Sequence, residues 1–242
     1  MSDGFNTSFL EDPRAWLKKI AIKNLFNDGE RVQPPVDVNV AQAQIVLDLV
    51  AIDGGWFRST TRARLVVLEP LTPAVHGIDS VLKGAWVPYQ SEGEVKSGNI
   101  SIGKVAISKH PGVFEPKFVF TGAMNGCSFL LAEDYRHQLH AVHYPNSTGA
   151  PRGFPLLRDA GLRIVKSINF ETTRHGLGYG ESNQDMERRG RGLWANAFCC
   201  AFYDDEKADW RILCQAQICE MSGQVIKVEI NTSKGDEGVL EI

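Results

Sequence analysis

Between Lys117 and Asn146 the chain sets short apolar runs between glycines and polar residues. Phe118–Phe120 and Ser128–Ala132 flank a corner interrupted by Gly122 and Gly126 that ends on Cys127. A polar turn at Glu133–Arg136 follows, and then an alternating, histidine-rich segment runs to Tyr144. This pattern predicts a strand, a tight corner and a β-hairpin.

The same reading extends to the rest of the chain. Asp12-Pro13 opens a helix, because aspartate is a good N-cap and proline is tolerated at the first helical position. Trp16, Leu17, Ile20 and Phe26 form its apolar stripe, and Asn27-Asp28-Gly29 ends it. Val36–Val40 alternates as a strand does, and Ile45–Val50 fits either class. Asp53-Gly54-Gly55 is a turn, and Arg62–Leu68 is a strand. Leu82–Tyr89 is an edge strand or the end of one, since it contains Pro88. Ser91–Asn99 is a loop, Ile100–Ser108 a strand and His110-Pro111-Gly112 a turn. Pro145–Pro155 is a loop, and Leu156–Ile168 is a helix or two short strands. His175–Gly180 (HGLGYG) is a flexible loop. Leu193–Tyr203 and Trp210–Cys219 are strands joined by a turn at Asp204–Lys207, and Gln224–Asn231 closes a sheet. No internal repeat and no break in composition divides the chain, so residues 1–242 are expected to form a single α+β domain rich in sheet.

The hairpin places chemistry within reach of Cys127. On residue type alone a cysteine here is a buried core side chain. Two features raise the alternative: the flanking glycines, and histidines at hairpin distance. With the turn at Asp134–Arg136, Leu131 opposes Leu139, Phe129 opposes Ala141 and Cys127 opposes His143. Pairing Cys127 with His140 sets Phe129 against Gln138 and Leu131 against Arg136, a poorer register. His143 is therefore favoured, and His140 stays open as the alternative. A facing imidazole lowers a thiol pKa and holds a thiolate, which attacks a carbonyl while the imidazolium protonates the leaving amine. Backbone N–H groups at the Gly126-Cys127 corner are candidates to hold the oxyanion. Thr121, at the end of the preceding strand, is a candidate to orient the imidazole.

Composition narrows the classes. The 242 residues carry a net charge of −3 and 43% hydrophobic residues, the profile of an ordinary globular chain rather than a bulk electrostatic binder of nucleic acid. No run approaches a membrane span, and the first residues lack a basic start followed by an apolar stretch, so no secretory signal is recognised. The 5 cysteines have no zinc-finger spacing, and a reducing compartment without a disulfide framework is expected. The run Glu187–Arg191 is a basic surface loop with a possible docking role toward an acidic partner. HGLGYG lacks the lysine and the strand–helix setting of a phosphate cradle, though it is placed to border the site.

Residues Phe118–Cys127 resemble the segment ahead of the catalytic cysteine in the Burkholderia lethal factor family of glutamine deamidase toxins. Met124-Asn125-Gly126-Cys127 is similar to the Leu-Ser-Gly-Cys of the cytotoxic necrotizing factors, differing in its first and second residues. A threonine six residues before the cysteine orients the histidine in the lethal factor, and Thr121 stands there in this chain. Ala85–Glu94 is similar to a Trp-Leu-Pro-Trp segment followed by Gly-Glu. A one-residue insertion would align His140 with the family's histidine.

The resemblance implies a sandwich of mixed β-sheets flanked by a few helices. It also implies a thiol-dependent protein glutamine deamidase without metal or organic cofactor, of bacterial origin and acting in the host cytosol after delivery. The implied substrate is a host protein, either a translation initiation helicase or a Rho-type GTPase, and the chain is expected to act as a monomer with no direct nucleic-acid or membrane partner. Another cysteine hydrolase, peptidase-like or transglutaminase-like, is the alternative enzyme. A binding protein of the same fold, with an inert Cys127, is the non-catalytic alternative.

Overall fold

Two mixed β-sheets are stacked face to face, and both of their outer faces are covered as well. The structure is a computed structural model that describes residues 4–23, 41–52, 62–67, 81–89, 102–144, 154–172, 177–180, 190, 192–222 and 225–242. The first sheet contains β1 (Ala21–Lys23), β2 (Gln42–Ala51), β3 (Arg62–Val67), β4 (Leu82–Val87), β6 (Phe118–Thr121), β11 (Leu193–Asp204), β12 (Asp209–Ser222), β13 (Val225–Ile230) and β14 (Val239–Glu241). Its order is β1-β3-β2-β4-β6-β11-β12-β13, with β14 also paired to β12. The pairs β1–β3 and β4–β6 are parallel. The second sheet contains β5 (Gly103–Ile107), β7 (Ser128–Asp134), β8 (Leu139–Tyr144), β9 (Leu162–Asn169) and β10 (Leu177–Gly178), in the order β10-β9-β7-β8-β5. The expected α+β sandwich of mixed sheets flanked by a few helices is what forms.

Side-chain alternation sorts each strand between two cores. In β6, Phe118 and Phe120 face the helices α1 (Phe5–Glu11) and α2 (Pro13–Leu17), where they join Phe9, Leu17 and Trp86. Val119 faces the other way, into the core between the sheets, with Val87, Phe129, Ala141, Cys199 and Ile212. A third core, of Leu130, Val142, Tyr144 and Leu157, lies between the second sheet and α3 (Pro155–Asp159). Because both faces of the strands are buried, their sequences read as nearly continuous apolar runs.

The helix expected at Asp12-Pro13 is α2, and it is capped as its sequence predicts. The Asp12 carboxylate accepts from the Ala15 N–H at 2.9 Å, and Pro13 takes the first helical position. The helix nevertheless stops at Leu17, short of the stripe through Ile20 and Phe26. A buried pair of β12 glutamines accounts for the change. Gln215 Nε2 donates to the carbonyls of Leu17 at 2.5 Å and Ile20 at 2.7 Å, while its Oε1 accepts from Ile22 N–H at 2.9 Å. Gln217 Nε2 donates to the Ile22 carbonyl at 2.7 Å. These side chains supply the partners that the backbone of Leu17–Ile22 would otherwise take from a longer helix.

Other expectations are corrected in the same way. Of the two readings at Pro88, the strand end is the one found: β4 stops at Val87, just before Pro88, and lies inside the sheet rather than at its edge. Residues 155–169 form α3 and then a full strand, β9. Part of HGLGYG is ordered: Leu177–Gly178 pairs in parallel with Ile168–Asn169, and Tyr179 is buried. Helix α1 and strand β14 were not anticipated. The readings at Asn27–Gly29, Val36–Val40, Asp53–Gly55 and Ser91–Asn99, and most of those at Pro145–Pro155 and Glu187–Arg191, lie outside the described residues. All 5 cysteines are free thiols and buried. Among the described residues, no helix is long and apolar enough to cross a membrane.

Gly103, opposite His143 on β8, packs against the backbone just past β4. A Cβ there would run into the Pro88 carbonyl oxygen, which is backbone and cannot swing aside. Gly103→Ala is therefore expected to cost about 1–3 kcal/mol through forced backbone movement. This should appear as a lower urea midpoint with an unchanged slope.

Candidate active site

The end of β6 sets the geometry. Thr121 follows Val119 on the face turned to the inter-sheet core and pairs in parallel with Val87 on β4. Its hydroxyl is buried and donates to the Val87 carbonyl at 2.9 Å. The same oxygen lies 2.7 Å from His143 Nδ1. A threonine hydroxyl has one proton to give. With that proton on Val87, Thr121 Oγ1 accepts from His143, so the proton of the neutral imidazole sits on Nδ1. Nε2 then carries the lone pair. It is buried and has no hydrogen-bond partner among the described residues.

The hairpin register differs from the sequence reading. Leu131 opposes Ala141 and Phe129 opposes His143, a slip of two residues from the expected pairing. The turn lies beyond Asp134 rather than within Asp134–Arg136. The Asp134 carboxylate accepts from the N–H groups of Arg136 at 2.8 Å and Gln138 at 2.9 Å, and His137 takes a left-handed φ of 64°. These local bonds stabilise a turn set one residue farther along than spacing alone implies. A slip of two preserves every side-chain face. His143 therefore still shares the inter-sheet face with Phe129, and Cys127 lies two residues before Phe129, diagonal to His143 rather than opposite it.

His140 is on the other face. It pairs with Ala132 on β7, and its Nε2 lies 3.3 Å from Asp134 Oδ2. The structure thus brings Thr121 and His143 together on the Cys127 side of the hairpin and turns His140 away. His137, in the turn, is also far along the hairpin from Cys127 and is 80% exposed.

Cys127 ends a pinned corner. Met124 N–H donates to Ala197 O at 3.0 Å, and Ala197 N–H returns a bond to Met124 O at 2.8 Å, tying the corner to β11. Gly126 has φ 79°, a conformation that glycine adopts at little cost. The Tyr179 hydroxyl donates to the Cys127 carbonyl at 2.9 Å. Cys127 Sγ lies 3.8 Å from the Asn125 carbonyl oxygen, a weak thiol contact.

Burial governs the charge state of the pair. Loss of solvent lowers the His143 pKa from 6.5 to about 3. The imidazolium is thus disfavoured in the resting protein, which opposes the standing thiolate–imidazolium pair expected from sequence. A neutral imidazole and a thiol fit this setting, with proton transfer accompanying attack on a substrate. Burial also raises the Tyr179 phenol well above its usual value, with the Cys199, Cys127 and Cys214 thiols adding to the effect. Tyr179 is therefore a fixed hydrogen-bond donor. Among the described residues, no three His, Cys, Asp or Glu side chains gather to hold a metal.

Three parts of the site escaped the sequence reading: the Val87 carbonyl, the Tyr179 hydroxyl and the Tyr89 ring. Tyr89 meets the His143 ring edge-on, with centroids 5.1 Å apart. HGLGYG was placed near the site by sequence, but which of its residues would reach inward was not legible.

No family model matches this chain, and no curated protein matches it. Among solved structures it is similar to the C-terminal domain of CNFy from Yersinia pseudotuberculosis, with a TM-score of 0.32 and 10% sequence identity. The match covers 67% of this chain and 62% of that one. An overlap of that size leaves the two backbones different over much of their course, so the chemistry is argued from the site itself.

Two outcomes test this geometry. The unfolded chain takes up a proton on His143 near pH 6.5, whereas the folded chain does so only near 3, so stability falls as pH drops through that window. The expected slope is about 1.4 kcal/mol per pH unit. His143→Gln should remove that slope between pH 6.5 and 4.5, above the range in which Glu133, with its own pKa lowered from 4.5, adds to acid sensitivity. Thr121→Val leaves the Val87 carbonyl and the His143 Nδ1–H unpaired and should cost about 1–3 kcal/mol in denaturant titration.

Proposed function

We propose that this protein is a thiol-dependent protein glutamine deamidase, a toxin or effector of bacterial origin that acts on a host protein in the host cytosol. The observation that carries the reading is the chain from the Val87 carbonyl through Thr121 to His143 Nδ1. It leaves a buried, unpartnered Nε2 on the face that Cys127 shares. The choice of a glutamine carboxamide rests on the resemblance of residues 118–127 to the lethal factor family.

In this mechanism Cys127 Sγ attacks the carboxamide carbon while its proton passes to His143 Nε2. The tetrahedral intermediate collapses as Nε2–H protonates the leaving amine, and ammonia departs. A thioester remains on Cys127. Water then attacks it, Nε2 takes the water proton, and the thiol is released together with glutamate. Thr121 holds the ring in the tautomer that both half-reactions need. Tyr179 steadies the nucleophile corner through the Cys127 carbonyl. A translation initiation helicase and a Rho-type GTPase are the substrates to try first.

The test is peptide mapping by mass spectrometry of eukaryotic lysate treated with wild-type protein or with Cys127→Ser. Conversion of a discrete glutamine to glutamate, seen only with wild type, is expected. His143→Ala should lower it by about a hundredfold or more, the usual range for loss of a general base. His140→Ala, on the opposite face, should leave it within a few-fold of wild type. Cleaved chains or crosslinks in place of glutamate would move the assignment to another cysteine hydrolase. A thiol that resists alkylation, with no conversion in any lysate, would overturn catalysis altogether.

A further inference from the structure

Tyr89 lies two residues beyond Val87, whose carbonyl anchors Thr121. Pro88 between them is buried against Gly103, the residue opposite His143. The backbone that delivers Tyr89 is thus fixed on both sides. Its ring stands nearly perpendicular to the imidazole, at 74°. Tyr89 is itself 45% exposed, whereas His143 is 0% exposed. The ring that touches the base is also the ring that touches solvent.

Three other described elements surround His143. Phe129 of β7 lies directly opposite, Gly103 of β5 on the other flank, and Thr121 of β6 at Nδ1. Among the described residues, the titratable side chains of the inter-sheet core include Cys127, Tyr179, Cys199 and Cys214, and Tyr89 stands at the His143 ring. Burial is what lowers the His143 pKa.

We propose that Tyr89 is a positioning residue that roofs the base: its ring keeps water off His143 and so holds the imidazole neutral with Nε2 ready to accept the thiol proton. The contribution is that of the ring, not the hydroxyl, because the contact is edge-to-face between two aromatic rings. Removing the ring admits water to the imidazole and relieves the desolvation that disfavours its charged form. The outer face of Tyr89 is then the surface that an incoming substrate side chain meets before it reaches the thiol. This assignment rests on the reading of His143 as the base.

The test uses the full chain labelled with isotopes at histidine, its ring protons followed by NMR against pH, with His143→Gln to assign the signal. Wild type and Tyr89→Phe should show no His143 titration step above about pH 4.5, whereas Tyr89→Ala should gain one, moved up by at least about two pH units toward 6.5. Deamidation by Tyr89→Ala should lose rate at acidic pH, and Tyr89→Phe should follow the wild-type profile. An unmoved His143 signal in Tyr89→Ala would overturn the proposal, as would equal shifts in both variants. The NMR step is read without substrate. A protein that shows the shift but converts no glutamine would keep the Tyr89 assignment and lose the deamidase reading.

Discussion

The Thr121 hydroxyl has one proton, and its destination decides the state of the site. Given to the Val87 carbonyl, it makes Thr121 an acceptor and puts the imidazole proton on Nδ1. The opposite ring nitrogen is then a base by default. Nothing charged is needed to orient the ring, which suits a position with no solvent to screen a charge. A carboxylate in place of Thr121 would stabilise an imidazolium, and with it a resting ion pair. In the proposed mechanism, the neutral hydroxyl relay leaves the proton to move only when a substrate supplies somewhere for negative charge to go.

The sandwich exists around this relay in a physical sense. Val87 and Thr121 come from parallel neighbours in the first sheet, while His143 comes from the second. The hydrogen bond between Thr121 and His143 therefore spans the two sheets. Gly103 permits the close approach by presenting no side chain to the Pro88 carbonyl. Around that contact, both sheets bury apolar residues on both faces, and the outer layers of short helices exist to cover them. The buried glutamines of β12 do comparable work away from the site by supplying hydrogen bonds where α2 gives way to β1.

Tyr179 and Tyr89 show how the site borrows from distant sequence. Tyr179 arrives on a two-residue strand after β9 and fastens the carbonyl of Cys127. Tyr89 arrives from the end of β4 and covers the imidazole. One holds the backbone of Cys127 and the other meets the ring of His143. Both are placed by strand ends, where the chain leaves the ladder and side chains are free to reach across a corner.

Much of this was legible in the sequence. Apolar runs marked β6 and β7, alternation marked β8, and strand-like stretches marked β11 and β12, because a strand with its faces committed to packing must alternate or run apolar. Asp12-Pro13 marked the start of α2 through its own local bonds. Thr121, Cys127 and His143 were picked out by spacing, and their common face survived a register slip of two because faces repeat every second residue. The tertiary structure decided what local chemistry cannot encode. It moved the hairpin turn past Asp134, through side-chain bonds that spacing does not count. It turned His140 away from Cys127, since an odd offset from His143 reverses the face. It stopped α2 at Leu17 by means of glutamines nearly two hundred residues away in the chain. It also set the imidazole's tautomer, because that depends on where one hydroxyl proton goes in space and not on any neighbour along the chain.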